Sequence, residues 1–255
     1  MGIKQILLSV VAVCGIVGAG AKPATEVVAH RGYWKAEGSA QNSVASLKKA
    51  IEIGARGSEC DVYITTDGVV VVHHDPTIDG KRIDESTYAA LKDCKLSNGE
   101  AIPTLDELLA IARKQKHTKL IIEIKSHNTQ EKEAAAVDAV LKLVKKNKMD
   151  KLVEYISFSQ NVCERLIALS PKAKVAYLGS DLTPKQLSDK GYTGLDYHIG
   201  AMRAHEEWFD EAKQLGLEVN VWTVDDEPNM KWLIGKGVTY ITTDEPVMLQ
   251  KLLAE

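Results

Sequence analysis

Residues 58–72, SECDVYITTDGVVVV, decide the fold. The first half reads as a strand, rich in β-branched and apolar residues with no proline to interrupt it. Asp67-Gly68 is a two-residue hairpin turn, and Val69 to Val72 form the returning strand. A stretch this short has no room for a parallel crossover, so the valine strand runs back antiparallel. On either side the chain alternates strands with helices. Strands read at 27–30, 58–63, 119–124, 153–158, 174–178, 194–198, 218–223 and 239–242. Helical patterns read at 42–54, 104–114, 129–148, 161–169, 183–190, 206–215 and 227–235. Thr104-Leu105-Asp106-Glu107 is a capping box after Pro103. Gly54, Gly191, Gly216 and Gly237 stand where helices should stop. With 255 residues and 45% hydrophobic content, this order predicts an α/β protein. The expected architecture is a TIM (β/α)8 barrel with a β-hairpin and a small insertion, about 76–102, after the second strand. No glycine-rich turn follows the first strand, which excludes a dinucleotide-binding fold.

The same stretch carries chemistry. Glu59 and Asp61 are two apart on a strand and so share a face. Folding about Asp67-Gly68 brings His73 or His74 opposite Asp61. Glu123 and Lys125 repeat the spacing on the next barrel strand, and His30-Arg31 ends the first. Three carboxylates in one pocket repel unless a cation compensates them, and a hard divalent cation prefers oxygen ligands. Arg31 and Lys125 add fixed positive charge suited to an anionic oxygen group. His30 and His74 exchange protons near neutral pH. One cation site, two proton carriers and two fixed cations suit phosphodiester cleavage. The remaining histidines do not join this set. His117, His127 and His205 lie beside lysines or helix starts and read as solvated, while His198 shares a strand face with Asp196.

A net charge of −3 and a pI near 6.2 give no footprint for nucleic acid. The lysines of 142–148 alternate with apolar residues as on a solvated helix. Lys4, an apolar run over 6–17 and Ala19-Gly20-Ala21 read as a signal peptide over 1–21, leaving one mature domain over 22–255. The expected mature chain is secreted or periplasmic, without stable membrane insertion after cleavage. The bulky Val13 before Cys14 argues against a lipoprotein anchor. Cys60, Cys94 and Cys163 allow at most one disulfide, and Cys60 should face away from Glu59 and Asp61 as an inert buried thiol. Oligomeric state is left open.

The ordered motifs resemble the glycerophosphodiester phosphodiesterase family. They are Ala-His-Arg-Gly at 29–32, Glu-x-Asp-Val at 59–62, Asp-Gly at 67–68 and Val-x-His-His-Asp-Pro at 71–76. Ile-Pro-Thr-Leu-Asp-Glu follows at 102–107, Glu-Ile-Lys at 123–125 and Ser-Phe at 157–158. Val-Trp-Thr-Val at 221–224 and Ile-Thr-Thr-Asp-Glu-Pro at 241–246 complete the set. The resemblance implies a TIM barrel that takes a small-molecule glycerophosphodiester and releases glycerol 3-phosphate and an alcohol. It implies Glu59, Asp61 and Glu123 as ligands of one divalent cation, Mg2+ or Ca2+, with His30 and His74 as the acid–base pair. It further implies Arg31 and Lys125 on the phosphate and Trp222 beside the glycerol. A glycerol hydroxyl would attack phosphorus and expel the alcohol, and water would then open the cyclic phosphate.

One departure stands out. The family's Pro-Glu-Asn-Thr is Ala40-Gln41-Asn42-Ser43 here, so an acid is replaced by an amide that accepts hydrogen bonds without charge. The expectation is altered substrate preference with activity retained. Two alternatives follow from the same residues: a phospholipase C-like phosphodiesterase acting on other head groups, and a catalytically weakened secreted binding protein.

Overall fold

The structure, a computed structural model, describes residues 25–255. The leader expected over 1–21, and Cys14 with it, lies outside the described residues.

Among the described residues eleven strands occur, in chain order β1 (Glu26–Ala29), β2 (Gly57–Ile64), β3 (Val70–Val72), β4 (Thr77–Ile78), β5 (Lys81–Arg82), β6 (Lys119–Ile124), β7 (Val153–Ser157), β8 (Val175–Tyr177), β9 (Gly194–His198), β10 (Glu218–Trp222) and β11 (Tyr240–Thr243). Eight of them, β1, β2 and β6 to β11, pair in parallel in chain order, and β1 pairs with both β2 and β11 to close a TIM barrel. The helices expected from the sequence are α1 (Val44–Glu52), α3 (Leu105–Ala112), α4 (Gln130–Asn147), α5 (Gln160–Leu169), α6 (Pro184–Asp189), α8 (Glu207–Gln214) and α9 (Glu227–Lys236). Three further helices escape the sequence reading: α2 (Tyr88–Leu91), α7 (Ile199–Ala204) and α10 (Pro246–Leu253). None of the helices among the described residues is long and apolar enough to cross a membrane.

Local chemistry sets the boundaries. Ser43 Oγ accepts the Ser46 N–H at 2.9 Å and starts α1. Thr104 and Glu107 form the expected reciprocal box at α3. Each such cap is worth about 1 kcal/mol. Outward-facing strand residues and the inward helix faces make one continuous core around Ile122, Ile124, Leu105, Leu109, Val140 and Tyr197, while Val28, Ile121, Ile156 and Tyr240 pack inside the barrel. Burial of such side chains contributes about 1.5–3 kcal/mol each.

The hairpin forms, but its loop is one residue longer than the expected Asp67-Gly68 turn: the Thr65 N–H donates to Val69 O at 2.9 Å around Thr66-Asp67-Gly68, with Gly68 left-handed at φ 81°. β2 and β3 pair antiparallel with Val62 opposite Val72 and Ile64 opposite Val70, and the His73 N–H donates to Asp61 O at 3.0 Å. His73 is therefore the residue opposite Asp61. The insertion follows as a β4–β5 ribbon and α2 around its own small core of Ile78, Ile83, Leu91 and Ile102. Glu100 docks it on the barrel, accepting the N–H groups of Val44 and Ala45 at 3.0 and 3.2 Å. The lower end of the barrel is closed by an ionic plug, in which Arg56 pairs in bidentate fashion with Glu154 at 2.7 Å and donates to the Tyr240 hydroxyl at 2.8 Å. Cys60, Cys94 and Cys163 are buried free thiols.

Candidate active site

The C-terminal ends of β1, β2 and β6 bring most of the predicted residues together. Glu59, Asp61 and Glu123 are buried, each with a carboxylate oxygen inside a set whose members lie within 4.8 Å of one another. The β2–β6 register explains the convergence, since Asp61 lies directly beside Glu123. Glu59 Oε2 accepts the Arg31 N–H at 2.7 Å, while Glu59 Oε1 is buried with no partner among the described residues. Lys125 Nζ lies 2.9 Å from Asp61 Oδ1 and 2.7 Å from Glu123 Oε1.

The charges in this pocket do not balance. Burial, together with Asp61 and Glu123, holds the Glu59 carboxyl well above the usual range. Burial and the Asp61 charge push Glu123 up to about 8, even though Lys125 touches it. Burial would also raise Asp61, but Lys125 and Asn42 overcome it and hold the group at about 2. Lys125 stays firmly protonated: burial opposes its charge, and Asp61 and Glu123 more than restore it. One lysine does not satisfy three carboxylates, and an orphaned buried oxygen remains. An all-oxygen donor set of this kind fits a hard divalent cation.

Asn42 organises the cluster and was not singled out from the sequence. Buried, with φ 60°, it donates through Nδ2 to Asp61 Oδ2 at 2.8 Å and accepts the Asp61 N–H at 3.0 Å. Arg31 also has a positive φ of 53°, which turns the chain sharply after β1. Gly32 beside it leaves no room for a side chain, because an added Cβ would lie 2.7 Å from the Ser46 backbone. Gln41 Oε1 accepts Arg31 Nη1 at 2.7 Å. The amide thus orients the guanidinium and lies outside the acidic set.

The two histidines differ in setting. His30 Nδ1 donates to Asp244 Oδ1 at 2.8 Å, and Trp34 Nε1 donates to the same oxygen at 2.8 Å. Burial opposes the Asp244 charge, but these two donors hold its carboxyl below the usual range. The sequence did carry a signal for Asp244: β11 pairs with β1 in a closed barrel, and Asp244 follows β11 as His30 follows β1. His74 Nδ1 pairs with Asp75 Oδ1 at 2.8 Å on the more exposed side of the mouth. Burial lowers the His74 pKa, with Asp61 acting against it.

Trp222 stands apart from the acidic cluster. Its Nε1 donates to Asp196 O at 2.8 Å, and its ring meets Phe158 and His198 edge-on at 5.6 and 5.3 Å. Phe158 is exposed, and it was missed from the sequence apart from its place in a motif. His198 is exposed and accepts the Gly200 N–H at the start of α7, with no contact to Asp196, which is bound instead by Asn220. His127 corrects its reading as solvated: both ring nitrogens are buried, and the ring packs edge-on against Tyr63 at 5.6 Å.

Comparison with known proteins agrees with this geometry. The model of the glycerophosphoryl diester phosphodiesterase family matches residues 30–248. A glycerophosphodiester phosphodiesterase of Caldanaerobacter subterraneus is 29% identical over 245 residues, covering 90% of this chain and 98% of that protein. The crystal structure of a glycerophosphodiester phosphodiesterase from Parabacteroides distasonis superposes with a TM-score of 0.90 at 50% identity, covering 92% of this chain and 98% of the other. A phosphodiesterase of Oleispira antarctica, solved with the product sn-glycerol-3-phosphate, shares the fold with a TM-score of 0.78 at 24% identity, covering 91% of this chain and 98% of that one. The chain belongs to the glycerophosphoryl diester phosphodiesterase family and is a phosphoric diester hydrolase.

Proposed function

We propose that the chain hydrolyses glycerophosphodiesters to glycerol 3-phosphate and an alcohol. In this reading Glu59, Asp61 and Glu123 hold one Mg2+ or Ca2+ ion, and His30 and His74 move the protons. The observation that carries it is the partnerless, buried Glu59 Oε1 inside three carboxylates, flanked by Arg31, Lys125 and an imidazole anchored on Asp244. When bound, the cation supplies positive charge against the phosphate oxygens.

The chain's own residues supply the rest. Gln41 fixes one edge of the Arg31 guanidinium and Nε is buried 3.6 Å from Asp61 Oδ2, leaving Nη2 for phosphate oxygens. Lys125 adds a second fixed cation. His30 donates its Nδ1–H as a hydrogen bond to Asp244, so Nε2 is the nitrogen available for exchange. His74 is likewise engaged at Nδ1 by Asp75 and free at Nε2. One imidazole takes the proton of the attacking glycerol hydroxyl while the other gives a proton to the departing alcohol. The two exchange roles when water opens the cyclic phosphate. Trp222, fixed by its bond to Asp196 O, packs against the glycerol carbons. Glycerol 3-phosphate, the product bound by the Oleispira antarctica phosphodiesterase, is the product of this scheme. The leader pattern supports a site of action outside the cytoplasm.

Product analysis tests this directly. Glycerophosphoglycerol incubated with the mature chain and Mg2+ or Ca2+ should yield glycerol 3-phosphate, and His30→Ala should abolish the release. Release of inorganic phosphate in its place, or full activity in His30→Ala, would contradict the scheme.

A further inference from the structure

A cleft of about 600 Å3 opens beside the catalytic mouth, between the β1–α1 loop and the insertion. Its walls include Trp34, Ser39, Gln41, His73 and Lys95, and no carboxylate is among them. It adjoins the reacting centre at two points. Gln41 binds Arg31 Nη1 at 2.7 Å, and His73 directly precedes His74. The cleft is also preformed. Glu100 ties the insertion to the first amides of α1, and Asn98 Nδ2 donates to Gly38 O at 3.1 Å across the opening.

Its polarity is one-sided. Lys35 is matched by Glu245 at 2.6 Å, whereas Lys95 has no carboxylate within ion-pairing distance among the described residues. Ser39 Oγ is buried and has no hydrogen-bond partner among the described residues. The aromatic face of Trp34 already carries Lys35 Nζ at 5.5 Å from its centre, which leaves a poor seat for a quaternary ammonium.

In-line displacement at phosphorus places the departing oxygen opposite the attacking one. Trp222, Phe158 and His198 lie at the ends of β10, β7 and β9, across the mouth from this cleft. With glycerol on that aromatic rim, the departing alcohol falls on the Trp34–Lys95 side. We propose that this cleft receives the leaving alcohol and favours alcohols that carry negative charge, such as a phosphorylated polyol, over cationic ones such as choline. The inference rests on the hydrolytic reading above and specifies its substrate.

The test compares three glycerophosphodiesters whose alcohols are glycerol, inositol 4-phosphate and choline. At low ionic strength the inositol phosphate diester should exceed the choline diester in kcat/KM, with each normalised to glycerophosphoglycerol. Added salt should narrow that gap. Lys95→Glu should shrink the ratio at least fivefold, mainly through KM, and Lys95→Gln should fall between. This residue is exposed, so its substitution should leave Tm unchanged. A choline diester that is preferred by the wild type, or a ratio indifferent to Lys95→Glu, would overturn the proposal. If none of the three is turned over, the hydrolytic reading itself fails. Calorimetric binding of the same diesters then decides the cleft: an anionic preference lost in Lys95→Glu upholds it, and equal affinities overturn it.

Discussion

His30 and Asp244 are 214 positions apart in the chain and 2.8 Å apart in space. Barrel closure makes this contact, because β11 lies against β1 in a register that sets Ala29 beside Thr243. The carboxylate fixes the imidazole tautomer and the ring direction. Asp244 is in turn held by its own N–H donating to Asp225 Oδ1 at 2.7 Å. Asp244→Asn should therefore lower kcat by about 10- to 100-fold with little change in KM, because it disturbs the direction and tautomer of His30 without removing it. Steady-state kinetics on glycerophosphoglycerol read this out. An equal loss in kcat/KM from KM alone would mean Asp244 serves substrate binding.

Asn42 clamps Asp61 by two hydrogen bonds while holding a left-handed backbone. Asn42→Ala loses both bonds and places alanine where φ is positive. The expected cost is about 2 kcal/mol of stability together with at least tenfold weaker divalent-cation affinity. Chemical denaturation and cation titration measure the two separately. Loss of stability with unchanged cation affinity would reduce Asn42 to a scaffold residue.

Asp196 gives a pH signature remote from the acidic cluster. Burial pushes its carboxyl up to about 7, with one hydrogen bond from Asn220 acting the other way. A carboxyl raised on folding is tolerated while protonated. Its stabilising contribution is present below the unfolded value near 3.8 and is lost as pH rises through about 7. Asp196→Asn keeps the shape without the charge. It should raise Tm over the wild type at pH 8 and much less at pH 5, the difference between the two being at most about 3 kcal/mol. Parallel melting curves across that range decide it, and a pH-independent offset would contradict the assignment.

At the opposite end of the barrel, Arg56 is the counter-ion of buried Glu154. Arg56→Ala leaves that carboxylate only Lys174, at 3.8 Å, and should cost about 3 kcal/mol. The folded remainder should keep its kcat, because the plug lies far from the catalytic mouth. Denaturant titration combined with active-site-normalised kinetics checks both parts.

Much of this architecture was legible in the chain. Every barrel strand began and ended within about two residues of its pattern, because apolar strand runs and glycine-ended helices leave little freedom of boundary. The hairpin register was legible only to within one residue: a two-residue Asp67-Gly68 turn would set His74 opposite Asp61, whereas the three-residue loop Thr66-Asp67-Gly68 sets His73 there. The acidic set was readable because its spacing of two on β2 recurs on β6. What escaped depended on contacts between distant segments or on short segments without a period. α2 and α7, of 4 and 6 residues, are too brief to show an amphipathic repeat. Asn42 and Asp244 act through partners on other strands, and their roles appear only once the barrel closes. His127 looked solvated beside lysine and asparagine, yet the fold lays Tyr63 over it.

In the proposed scheme hydrolysis depends on a divalent cation held by Glu59, Asp61 and Glu123. The most direct measurement is glycerol 3-phosphate release from glycerophosphoglycerol by chelator-stripped protein across a titration of Mg2+ and of Ca2+. Wild type and Glu59→Gln would be run side by side. The wild type should show saturable activation by at least one of the ions, and the response of Glu59→Gln should be absent or shifted at least tenfold to higher concentration. Full activity in the stripped wild type, or a wild-type response in Glu59→Gln, would contradict the scheme.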